Sequence, residues 1–119
     1  MKYMLLIYSV ETTREADHPD QDAMMNEYWA FTENLQKNGQ YISGDALQPT
    51  MTATTVRVRN GATNTSDGPF AETKEQLGGY YLVEAKDLDE AIGLAAQIPD
   101  ARNGCVEVRP LMQFDMPQG

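Results

Sequence analysis

The sequence predicts an α+β fold, one antiparallel sheet layered against two helices, and three observations carry that prediction. Residues 2–8, Lys-Tyr-Met-Leu-Leu-Ile-Tyr, are a short continuous apolar run of strand character. Two later segments repeat apolar residues at helical spacing, one over 24–35 and one over 88–95. Short β-rich stretches flank both of them, near 40–44, 54–66, 80–85 and 106–108.

Taken in order, the first strand is apolar on both faces, with Tyr3, Leu5 and Ile7 on one and Met4, Leu6 and Tyr8 on the other. A strand of that kind is normally covered on both sides. Residues 11–22 read as an acidic loop. Met24, Tyr28, Phe31 and Leu35 then fall at i, i+4, i+7 and i+11 on one helix face. Asp20 or Asp22 places negative charge where the helix dipole favours it, and Asn38-Gly39 stops the helix. A strand near 40–44 ends at Gly44, and Pro49 marks a turn. Residues 54–59 alternate, Val56 and Val58 to one side, Arg57 and Arg59 to the other. Asn60-Gly61 is the strongest hairpin signal in the chain, because both central positions of a type I′ turn need positive φ. The return strand runs to about Ser66, and Asp67-Gly68-Pro69-Phe70 turns the chain again. After the β-rich stretch from Tyr80 to Ala85, Asp87 caps a second helix with Glu90 three residues on, as in a capping box. Leu88, Ala91, Ile92 and Ala95 are expected inward on that helix, Pro99 ends it, and Val106 and Val108 mark the last strand.

Without the 54–66 hairpin the order is β-α-β-β-α-β, the split arrangement called ferredoxin-like. Both helical connections lie on one side of such a sheet, so the doubly apolar first strand lacks cover on the other. A second copy related by a two-fold axis supplies it most economically. A homodimer is therefore expected.

Composition narrows the function. A chain of 119 residues is one domain's worth, read as 1–119. Nine basic residues against 18 acidic give a net charge of −9, which argues against a nucleic-acid partner and against docking on an anionic membrane. Leu, Ile, Val and Phe together supply only 22 residues. Seven Met and six Tyr enlarge a modest core, of the kind that gains stability by self-association. With one cysteine no intrachain disulfide exists, which suits a reducing cytoplasm. No apolar run is long enough to span a membrane, and the apolar start reads as strand rather than signal peptide.

Few side chains suggest chemistry. The single histidine, His18, sits in Asp17-His18-Pro19-Asp20-Gln21-Asp22, whose spacing fits neither an EF-hand loop nor a zinc site, and no metal or cofactor is expected. Cys105 reads as a buried, inert thiol. Gly78-Gly79 opens a strand rather than a phosphate-binding helix, so a bulge or close backbone approach explains it. Asp67, Glu72, Lys74 and Glu75 crowd ten residues between two strands. With Arg57, Arg109, Glu84, Glu107, Tyr80 and Tyr81 on strands of a covered face, they form an acid/base or anion-binding pocket, or else ordinary cross-strand charge pairs.

The segment Asp67-Gly68-Pro69-Phe70-Ala71-Glu72-Thr73-Lys74-Glu75-Gln76-Leu77-Gly78-Gly79-Tyr80-Tyr81 resembles the signature of the DGPF-domain branch of the YCII-related family. Lys2-Tyr3-Met4, Gly44-Asp45-Ala46-Leu47-Gln48, Thr54-Thr55-Val56-Arg57 and Gly104-Cys105-Val106-Glu107-Val108-Arg109-Pro110 extend the resemblance over nearly the whole chain. It implies a ferredoxin-like subunit that dimerises sheet to sheet, a dimeric α+β barrel. Members of a smaller branch of that family are held to be enzymes on the strength of a His/Asp pair in a cleft. Those two positions fall near Glu27 or Tyr28 and near Ile98 here, so the dyad is not carried over.

Two functions follow as expectations. One is a small-molecule binder or minor enzyme whose dimer encloses a pocket lined from Arg57, Lys74, Tyr81 and Arg109, with Asp67 or Glu72 as acid/base. The other is a non-catalytic accessory binding a protein partner in a sigma-factor-linked circuit, which the family's gene associations suggest.

Overall fold

The computed structural model of the chain describes residues 1–11 and 21–114. Its elements are β1 (Lys2–Ser9), α1 (Gln21–Lys37), β2 (Tyr41–Ala46), β3 (Thr54–Arg59), β4 (Ala62–Asp67), β5 (Gln76–Glu84), α2 (Leu88–Ala95) and β6 (Cys105–Pro110). Single 3₁₀ turns stand at Thr50–Thr52 and Pro99–Ala101. The strands β2-β5-β1-β6 form one antiparallel sheet in that order, and β3-β4 form a separate two-stranded hairpin. The ferredoxin-like α+β architecture read from the sequence is therefore present, with its inserted hairpin.

The core lies between the sheet and the helices. Tyr3, Leu5 and Ile7 of β1 meet Tyr81, Val83 and Ala85 from β5 and its end, Phe31 and Leu35 of α1, and Ala91, Leu94, Ala95 and Ile98. Phe31 meets the Tyr81 ring edge-on, with centroids 5.1 Å apart. On the opposite face Met4, Leu6 and Tyr8 are half-buried, so β1 does carry apolar side chains to both sides.

Local signals account for the ends. At the close of α1, Gln40 N–H donates to the Leu35 carbonyl (2.9 Å) and Gly39 N–H to Gln36 (3.2 Å), the Schellman pattern that glycine's positive φ of 69° permits. Asp87 accepts from Glu90 N–H (2.9 Å), and the Glu90 carboxylate reaches back to Lys86 N–H (3.1 Å). Asn60 and Gly61 take φ of 54° and 77°, as the I′ turn needs.

Three expectations need correction. The inward stripe of α2 is Ala91, Leu94 and Ala95, continued by Ile98, while Leu88 and Ile92 are half exposed. Residues 91, 94, 95 and 98 follow i, i+3, i+4, i+7, and Ile92 is turned about 100° away from Ala91. Cys105 is exposed rather than buried. Alternation along β6 turns Val106 and Val108 to the core and sends Cys105, Glu107 and Arg109 to the other face. Finally, β5 begins at Gln76, ahead of Tyr80, because it tolerates a bulge. Ile7 pairs with Gly79 and Tyr8 with Leu77, leaving Gly78 as the extra residue. A Cβ on Gly79 would stand 3.0 Å from the Asp45 carbonyl oxygen, so the glycine pair serves both bulge and close approach.

Candidate functional site

The bulge opens the sheet under α1, and a cavity of about 410 Å³ lies there. Helix α1 roofs it with Met25, Tyr28, Trp29 and Thr32, a stripe at i, i+3, i+4 and i+7 beside the one that fills the core. Ile7 and Ser9 of β1, Gly78 to Tyr81 of β5 and Tyr41 with Gly44 to Ala46 of β2 form the floor and far wall. Asp100, in the turn that follows α2, closes one side. The glycines keep side chains out of the opening, since a Cβ on Gly44 would come within 2.8 Å of the Tyr81 ring.

Hydroxyl groups converge on this space. The Tyr28 hydroxyl donates a short hydrogen bond to Asp100 Oδ2. Thr32 Oγ1 lies 2.9 Å from the Tyr28 carbonyl and 2.8 Å from the Tyr81 hydroxyl. Burial, and then the carboxylate of Asp100, push the Tyr28 phenol well above its ordinary value, and burial raises Tyr81. Both phenols are thus neutral donors at physiological pH. Among the described residues, no Lys, Arg or His lines the cavity. Asp45 accepts from the Tyr80 hydroxyl (2.8 Å), and alternation along β5 puts Tyr80 on the sheet face opposite Tyr81. Asp45 and Asp100 both border the cavity, and Asp100 is the one bonded to a tyrosine of the roofing helix.

The six residues singled out from the sequence do not share one pocket within a single chain. Tyr81 lines the cavity. Arg57 stands on the hairpin with its guanidinium 5.7 Å from the Phe70 ring, and Asp67 ends β4, exposed, opposite Thr54. Glu72 and Lys74 are exposed, and Lys74 borders a shallow depression shared with Tyr8, Cys105 and Glu107. Arg109 is exposed, its Nε 3.2 Å from the Glu107 carboxylate. Two physical facts divide the set: pleating sends Arg109 and Tyr81 to opposite faces, and the hairpin carries Arg57 and Asp67 off the sheet. Its base is closed by Gly68 N–H donating to Ala53 and Thr55 Oγ1 donating to the Gly68 carbonyl, both at 2.8 Å. The Gln76 amide donates to the carbonyls of Ala71 and Thr73 (3.0 and 2.7 Å), so the charged segment is also organised by its own backbone. His18 lies outside the described residues.

Sequence reasoning missed Tyr28, Thr32 and Asp100 as site residues. The usable signal was a polar Tyr and Thr inside the apolar stripe of α1, but their partner lies 72 residues away from Tyr28.

An α+β sandwich with a tyrosine-lined cavity at the bulged end of its sheet is the class of protein defined by these features. The chain belongs to the YCII-related family, whose domain matches residues 1–115. It is 39% identical over 117 residues to an uncharacterized protein of Rhizobium meliloti (strain 1021), covering 96% of this chain and 94% of that one. Among solved structures it is similar to the 5-chloro-2-hydroxyhydroquinone dehydrochlorinase of Burkholderia phenoliruptrix, in complex with 2,5-dihydroxybenzoquinone. That similarity has a TM-score of 0.49 at 15% identity and covers 96% of each chain.

Proposed function

We propose that this protein is a cytoplasmic homodimer that binds an uncharged or cationic small ring compound in the cavity between α1 and the sheet. The observation that carries this reading is the convergence of Tyr28, Asp100, Thr32 and Tyr81 on one cavity of ligand size. Aromatic walls favour a flat ligand. Among the described residues the lining holds no cation, and with the chain's net charge of −9 this disfavours carboxylates and phosphates. Tyr28, held neutral, donates, and Asp100 accepts a proton or hydrogen bond from a ligand O–H or N–H. In an enzymatic version Asp100 is the acid/base group and Tyr28 fixes its orientation. Gly78 to Tyr81, the end of the Asp67–Tyr81 segment, form one wall of the cavity, which supports a site beside that segment. Asp67, Glu72, Arg57, Lys74 and Arg109 have no part in this cavity.

A thermal-shift screen of neutral, cationic and anionic ring compounds tests the reading, with Tyr28→Phe and Asp100→Asn run beside the wild type. Neutral or cationic hits are expected, each adding about 2.7 kcal/mol at a hundred times Kd. Both variants lose them. Silence across the library, or hits that both variants retain, would defeat the proposal.

A further inference from the structure

The β3-β4 hairpin is sequence-patterned for burial but is not buried by its own chain. Thr54, Val56 and Val58 share one face with their cross-strand partners Asp67, Thr65 and Thr63, and Arg57 and Arg59 stand on the other. That alternation belongs to a strand with one covered face. Yet every residue of both strands except Thr55 is exposed, Val56 at 58% and Val58 at 60%. A two-stranded hairpin alone in water is marginally stable at best.

We infer that this hairpin is an arm that grips a second copy of the chain, laying its Val56/Val58 face on the partner. The inference rests on the homodimer proposed above and assigns its interface a specific element. Charge favours this occupant. Residues 54–66 hold two arginines and no acid, a local charge of +2, while the rest of the chain carries −11. A basic arm on an acidic body is complementary to another copy of that body. The same molecule also leaves Met4, Leu6 and Leu82 only half-buried on its helix-free face, so a two-fold pairing covers the sheet and the arm together.

Sedimentation equilibrium of the wild type, Val56→Asp/Val58→Asp and Arg57→Glu/Arg59→Glu tests the arm, with far-UV circular dichroism as the fold control. The valine variant is expected to dissociate at least tenfold more readily than wild type. The charge reversal weakens the dimer at low salt, and its deficit narrows as salt is raised. In the wild-type dimer the amides of 54–67 exchange slowly. Variants that dimerise as tightly as wild type, or hairpin amides that exchange at unfolded rates, would overturn the arm and leave the homodimer standing. A monomeric wild type at micromolar concentration would overturn both.

Discussion

At the scale of single residues, Tyr28 carries the most testable chemistry. Its folded-state phenol titrates above the ordinary value of 10.0, through burial and the bond to Asp100, and Tyr81 is raised by burial. A group raised on folding contributes stability that is complete below its unfolded value and is lost as pH climbs through the folded one. The wild type is therefore expected to lose stability steeply above about pH 10, and Tyr28→Phe less steeply, as read by denaturant unfolding at several alkaline pH values. A tyrosinate absorbance titration should show the late phenols directly, with one fewer in the variant. Glycines make a second contrast. A Cβ on Gly104 would stand 2.0 Å from the Tyr8 carbonyl oxygen, whereas one on Gly78 meets nothing within 4 Å. Gly104→Ala is expected to cost about 3 kcal/mol or more, and Gly78→Ala about 0.5 or less, by chemical denaturation. The chain shows both as glycine; only the fold reveals which one has a backbone pressed against it.

Element by element, what could be read from sequence tracks how local its cause is. The I′ turn at Asn60-Gly61, the stop at Gly39 and the Asp87–Glu90 box depend on neighbours in the chain, and all three stand where expected. The faces of β1 were equally legible, since pleating fixes them. The start of β5 was not, because its bulge answers to pairing with β1, 70 residues away. The face of α2 went wrong for a related reason: Leu88, Ala91, Ile92 and Ala95 form a plausible stripe, but sheet contact selects Leu94 and Ile98 instead. Leu94→Ala is accordingly expected to lose roughly 2–5 kcal/mol, and Leu88→Ala no more than about 0.5. Equal losses in urea unfolding would place the core contact of α2 on the wrong face.

For the whole molecule, strand order and layer arrangement were legible because helical and strand periodicities alternate along the chain, and the single-chain fold follows from them. Of the residues that line the cavity, sequence reasoning singled out Tyr81 as a ligand-binding side chain and the glycine pair as a bulge or close approach. Asp67, Glu72 and Lys74 drew attention by crowding in sequence, but crowding on a surface segment costs nothing in water and needs no pocket. Tyr28 and Asp100 are far apart in sequence and meet only once α1 and the turn after α2 dock on the same sheet face. The cavity that results is the centre of the functional account, and the chain supplies its own reporter. Trp29 is the single tryptophan, it lines the cavity, and it is 65% exposed at the rim. The most direct measurement is a fluorescence titration of Trp29 with a compound that raises the melting temperature. A saturable change is expected, with a midpoint that agrees with the thermal shift, and it vanishes in Asp100→Asn. A compound that stabilises the protein while leaving Trp29 fluorescence unmoved, or moving it equally in Asp100→Asn, would put the ligand elsewhere and contradict a site in the cavity.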